Sequence, residues 1–232
     1  MEKNYKAIVA LFSVLSLTSL AGFYKSYFQF FPDFKNITFF THIHFVIFIC
    51  WFLIIAWQPI LVKQKKLNLH KKIGKLTYFL APIMVISILL MVKFTFAKNL
   101  INSKESALMG STGAILDATA FAICYIISMF NVQKTRWHVA FIIGASLIVF
   151  NPGLGRFIIS ISNQKIGILI MALMPILIPF AIIIYEKIKF NRAIFKNPYL
   201  LFVLIWIVEL ACFAILPKQL SWQNFIQKIA NL

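Results

Sequence analysis

Charge is scarce in this sequence. Only 12% of its 232 residues are charged, and just six of those are Asp or Glu. Soluble domains carry about 25% charged residues, so a water-soluble domain is excluded on composition. Cysteine is sparse too: Cys50, Cys124 and Cys212 lie singly inside apolar runs, with no CxxC pair. Neither a disulfide framework nor a zinc site follows from that spacing. Sequence signatures of catalysis are missing as well: there is no GxSxG, P-loop, HExxH or GxGxxG. The Gly110–Gly113 run follows no strand pattern and reads as close helix packing. The last apolar run contains no central lysine, which excludes a retinal Schiff base there. Without internal repeats or low-complexity linkers, the chain reads as a single membrane domain.

What the sequence has is apolar length. Hydrophobic residues make up 61% of it, 25 of them Phe, and the mean hydropathy is +0.88. Crossing a hydrocarbon core takes roughly 20 apolar residues in a helix, and open strands leave backbone groups unsatisfied in lipid. Seven spans meet that length, over about 7–24, 39–62, 73–97, 107–132, 137–160, 166–185 and 199–216. The expected fold is therefore an all-α bundle of seven transmembrane helices. Ala7–Ala21 has the length of a signal-peptide core and is read as an uncleaved first helix. Residues 25–38, with Phe30, Phe31 and Phe34, read as an aromatic loop at headgroup level.

The net charge of +17 does not point to nucleic acid, because the cations cluster in short loops beside the spans. Fourteen of the 23 Lys and Arg fall on the amino-terminal side of the spans, Lys3, Lys6 and the run from Lys63 to Lys75 among them. Basic loops stay cytoplasmic, so the amino terminus is expected inside and the carboxy terminus outside. The expected location is a bacterial inner membrane.

This topology sorts the polar residues by depth. Asp117 and Glu209 each lie about ten residues into their spans, which at about 1.5 Å per residue puts both near the bilayer midplane. A mid-membrane carboxylate is costly and normally faces the bundle interior. His44, Asn151 and Arg156 fall on the outer side, with Arg156 the natural counter-charge to the acids. The run Asn151-Pro152-Gly153-Leu154-Gly155-Arg156 is expected to interrupt its helix. His42 and His44 diverge by about 200° around a helix, and His44 shares a face with Phe48 and Trp51. On the inner side, Gln58, His70 and His138 gather at helix starts and ends. They are candidates for axial haem ligation or for headgroup contact.

The stretch His44…Trp51…Gln58-Pro59…His70-Lys71-Lys72-Ile73-Gly74 resembles the His…Gln…His-Arg-x-x-Gly block of a family of bacterial multi-helix membrane proteins. Trp137-His138-Val139-Ala140-Phe141, followed by Pro152 and Arg156, is similar to that family's second block. Lys71 stands where the family has arginine, and an ammonium does not replace a bidentate guanidinium. The resemblance supplies candidate residues and no mechanism.

The expected function is binding of a ligand or cofactor, haem or a quinone-like molecule. The expected outer pocket holds His44, Asp117, Asn151, Arg156 and Glu209, with Gln58, His70 and His138 as inner contacts. Three other classes fit the same residues. These are proton-coupled transport through Asp117 and Glu209, lipid hydrolysis with His44 as base and Asp117 as its orienter, and a scaffold role. The expected partners are the lipid bilayer and a small molecule or lipid.

Overall fold

The computed structural model describes residues 4–35 and 37–231; Lys3, counted above, lies outside them. Every regular element among the described residues is helical: α1 (Tyr5–Gly22), α2 (Phe39–Lys63), α3 (Leu67–Leu100), α4 (Lys104–Phe130), α5 (Thr135–Ile161), α6 (Gln164–Phe190), α7 (Pro198–Ile215) and α8 (Leu220–Asn231). The first seven are long and apolar enough to cross a membrane, making this an integral, multi-pass protein. Side-chain caps fix several starts. The Ser103 hydroxyl accepts from the Ser106 amide at 3.0 Å and Asn163 Oδ1 from that of Ile166 at 3.0 Å, each satisfying a backbone donor the first turn leaves open.

The bundle is organised around α5. Inside the protein lies 61% of its apolar window, against 39% or less for the other six spans. It packs against α1, α4, α6 and α7. Lipid supplies no hydrophobic drive for helices to meet, so close approach depends on small side chains. Along α5 these are Gly144, Ala145, Ser146, Gly153 and Gly155, all buried. At the crossing with α1, Gly22 and Gly153 bring the two backbones into contact. A Cβ added to Gly22 would run into the Gly153 carbonyl, with its carbon at 2.8 Å.

That crossing explains a departure from the sequence expectation. Pro152 and the two following glycines do not break α5, which continues as helix to Ile161. Proline at 152 removes one amide donor. The glycines serve interhelical packing rather than a bend, since Gly155 abuts Met171 of α6 in the same way. Helix ends differ too. α3 begins at Leu67, earlier than the expected span, with His70 in its first turn, and α6 runs on to Phe190.

The last helix, α8, falls beyond the expected spans. Its twelve residues are too few to cross a membrane. Trp222, Ile226 and Ile229 follow helical spacing and form one apolar face. Ile226 is fully buried against a cluster with Val92 and Phe96 of α3 and Leu108 of α4. Trp222 Nε1 donates to Thr112 Oγ1 at 2.9 Å.

The loop between α1 and α2 is aromatic, as its composition implies. Tyr27 stacks on Phe45 with centroids 4.2 Å apart, while Phe31 is exposed. Burial pushes the Tyr27 phenol up from its ordinary pKa, so it keeps its proton. The hydroxyl lies 2.6 Å from His42 Nδ1, within hydrogen-bond distance.

Candidate functional site

Four helices converge their polar residues at the end of the bundle that carries the Lys63–Lys75 loop, called here the basic end. Gln58 comes from α2 and His70 from α3. Gly74 and Thr77 follow His70 at one-turn intervals on the same face. Tyr125 and Ser128, one turn apart, come from α4, and His138 comes from the second turn of α5. Thr77 Oγ1 donates to the Gly74 carbonyl at 2.6 Å, so the Tyr125 hydroxyl, 2.9 Å away, is the donor to Thr77. Trp51 lies next to this group, in edge contact with Tyr125 at a centroid distance of 6.1 Å.

One of the two imidazoles, His138, is held in a defined tautomer. His138 Nδ1 lies 3.2 Å from the Ser128 carbonyl oxygen, which can only accept, so Nδ1 carries the hydrogen. The Ser128 hydroxyl in turn donates to the His138 carbonyl at 3.0 Å. His138 Nε2 is left with the lone pair. The Gln58 backbone lies close enough to His70 to act on its ring, and His70 Nδ1 is buried without a partner. The rings are close enough for the charge of one to act on the other. Anchoring one ring N–H on a backbone carbonyl is how a protein orients a histidine whose other nitrogen has work to do.

Gln58 completes the group. Both its Nε2 and its Oε1 are buried without hydrogen-bond partners, as is Trp51 Nε1. Leaving one such group unsatisfied costs about 1–3 kcal/mol, and several concentrated in one place mark a site rather than a packing error. Gly74 leaves the amide room, since a Cβ there would lie 3.9 Å from Gln58 Nε2. Haem fits this set poorly. His70 offers Nδ1, whose neighbouring ring carbon bears the side-chain stem, and a flat macrocycle seated on that nitrogen would strike Cβ. A narrow ligand with oxygen atoms at its edge meets no such obstacle. Among the described residues no three His, Cys, Asp or Glu side chains cluster to hold a metal ion.

Midway along the bundle, Asp117 of α4 and Glu209 of α7 are close enough for each carboxyl group to act on the other. A hydrogen bond between them needs one of the two to carry the proton. The antiparallel register of α4 and α7 accounts for the meeting. One turn further along, the Phe213 ring of α7 covers Gly113 of α4, with a Cβ position 3.4 Å from the ring. Glu209 is 8% exposed and its Oε2 has no partner. Trp206, one turn before it, ties α7 to α6 by donating to the Ala172 carbonyl at 2.9 Å.

The expected outer pocket assembles in parts. Arg156 places its guanidinium 4.6 Å over the Phe23 ring, on an exposed face of α5, and lies close enough to His44 for its charge to act on the imidazole. His44 stacks on Phe48, as its spacing implies, with centroids 4.3 Å apart. Its Nδ1, however, lies 3.0 Å from Ser87 Oγ rather than against Asp117. Ser87 already donates its hydroxyl to the Met84 carbonyl at 2.7 Å, so His44 is the donor. That polarity leaves the serine unactivated and leaves the lone pair of His44 on Nε2. Asn151 is buried with its Oδ1 unpartnered.

One group at the basic end escaped the sequence reading. Glu186, fully buried on α6, accepts from Arg136 Nη2 at 2.6 Å, from Arg192 Nη1 at 3.2 Å and from Asn197 Nδ2 at 3.1 Å. It clamps the starts of α5 and α7 to the end of α6. The available signal was its rarity: it is one of six acids, just beyond a span and followed by basic residues. In the comparisons with known proteins, no family model, curated protein or solved structure matches this chain.

Proposed function

We propose that the protein is a membrane-embedded binding protein for a quinone-like ligand, held at the basic end among Gln58, His70 and His138. What supports the reading is a pair of neighbouring imidazoles beside an unpartnered carboxamide, with His138 tethered so that Nε2 holds its lone pair and His70 Nδ1 buried without a partner. A reduced quinone offers two hydroxyl donors to two such nitrogens, and an oxidised one offers carbonyls to the Gln58 amide. Trp51 and Tyr125 supply flat apolar walls for its ring. In this reading the location is a bacterial inner membrane with the basic end cytoplasmic, in keeping with the lysine distribution.

The test is a titration of purified protein in detergent with a short-chain benzoquinone, followed by tryptophan fluorescence. Saturable quenching is expected, and Gln58→Leu or His70→Leu should each weaken binding about tenfold, the equivalent of roughly 1.4 kcal/mol. Quenching that rises linearly and alike in all three proteins would sink the assignment.

A second reading, proton-coupled transport, is favoured by the Asp117–Glu209 contact alone. Proteoliposomes under a membrane potential should then acidify or alkalinise their lumen in the wild type. Asp117→Asn, which keeps a hydrogen bond but cannot release a proton, should abolish the flux. An Asp117→Asn protein as active as the wild type rules this reading out.

A further inference from the structure

A groove of about 730 Å³ opens at the far end of the bundle, between the end of α1 and the last turns of α5. Its walls are apolar, Ala21 and Gly22 on one side and Phe157 and Ile159 on the other. Two cations, Lys25 and Arg156, also line it, and among the described residues no carboxylate does. Both are exposed. Arg156 is held at the groove by its stacking over Phe23 at 4.6 Å, a contact that leaves the guanidinium N–H groups in its plane free to point outward. The groove lies where α1 ends at Gly22 and α5 approaches its end at Ile161, the depth at which a spanning helix leaves the hydrocarbon.

We infer that this groove binds an anionic phospholipid, its phosphate between Lys25 and Arg156 and one acyl chain along the α1–α5 seam. The chemistry is that of complementary charge over an apolar wall. A guanidinium pairs two N–H donors with two phosphate oxygens, and an ammonium adds a point charge beside it. The apolar walls beside the cations favour a lipid over a free anion, which would leave them unused. Arg156 thereby acquires a role unrelated to the Asp117–Glu209 pair and to the ligand proposed at the basic end.

The experiment is native mass spectrometry of the full chain, released from detergent and titrated with short-chain phosphatidylglycerol or phosphatidylcholine. Wild type should retain phosphatidylglycerol preferentially. The double variant Lys25→Gln/Arg156→Gln should lose roughly thirtyfold in affinity, from about tenfold or less for each charge removed. Lys65→Gln/Lys66→Gln, at the opposite end, should retain at least one phosphatidylglycerol with wild-type affinity. Lys25→Gln alone, at an exposed loop position, guards against misfolding of the double variant and should lose severalfold. Equal retention by wild type and the Lys25 variant would overturn the site. So would equal competition by inorganic phosphate, which would make it a free-anion site.

Discussion

Replacing Glu186 with alanine is expected to destabilise the protein by about 3 kcal/mol, the lower part of the range for breaking a buried ion pair. Glu186 has no exposed side-chain surface, whereas Arg136 and Arg192 keep 25% and 26% of theirs. Removing the acid strands two guanidinium groups and the Asn197 amide at once, though water reaches part of each arginine. Removing one arginine leaves the other in place. Arg192→Ala should therefore cost about 1 kcal/mol, since its exposed side screens the pair. Glu186→Gln should fall between, because its carbonyl oxygen still accepts from one donor. Unfolding in mixed micelles with a denaturing detergent measures all three. A Glu186→Ala protein as stable as the wild type would show that the clamp does not hold α5, α6 and α7 together.

Widening Gly22 or Gly153 is expected to be comparably severe, for a steric reason. A Cβ on Gly153 would lie 2.7 Å from the Ser19 Cα and 2.8 Å from its Cβ. On Gly22 it would approach Gly153 and Phe157 backbone atoms at 2.8 and 3.0 Å. Backbone cannot rotate out of the way as a side chain does, so α1 and α5 must separate. Each alanine should cost about 2–3 kcal/mol, and the double variant less than the sum, because the helices separate only once. Gly74→Ala is the matched control. Its Cβ would meet only Gln58 Nε2 at 3.9 Å, and stability should change by under about 1 kcal/mol. Thermal unfolding of these variants beside the wild type in one detergent distinguishes them. Gly22→Ala and Gly74→Ala melting together would contradict the close α1–α5 crossing.

Much of the candidate site was legible residue by residue. The depth of Asp117 and Glu209 follows from counting along each helix, and so does the gathering of Gln58, His70 and His138 at one end. Most partners were not legible. Arg156 finds Phe23 and His44 finds Ser87, neither foretold by the sequence, whereas Asp117 meets Glu209, the acid expected at its own depth. Tyr125, Ser128 and Thr77 were passed over because hydroxyl residues are common in packed helices and become informative only once a histidine faces them. Glu186 was missed because its partners among the described residues come from the starts of α5 and α7 and the turn between α6 and α7.

The sequence alone determined the helical class, the seven spans and the depth of each polar side chain, because all three depend on local hydropathy and on a fixed rise per residue. Only the tertiary structure decided that α5 is central, that Pro152 lies in unbroken helix, and which polar groups meet. Rotation about a helix axis and the choice of neighbour are set by packing of small side chains and by hydrogen bonds between helices. Lipid, as apolar as the side chains it bathes, leaves little trace of that choice in the order of residues.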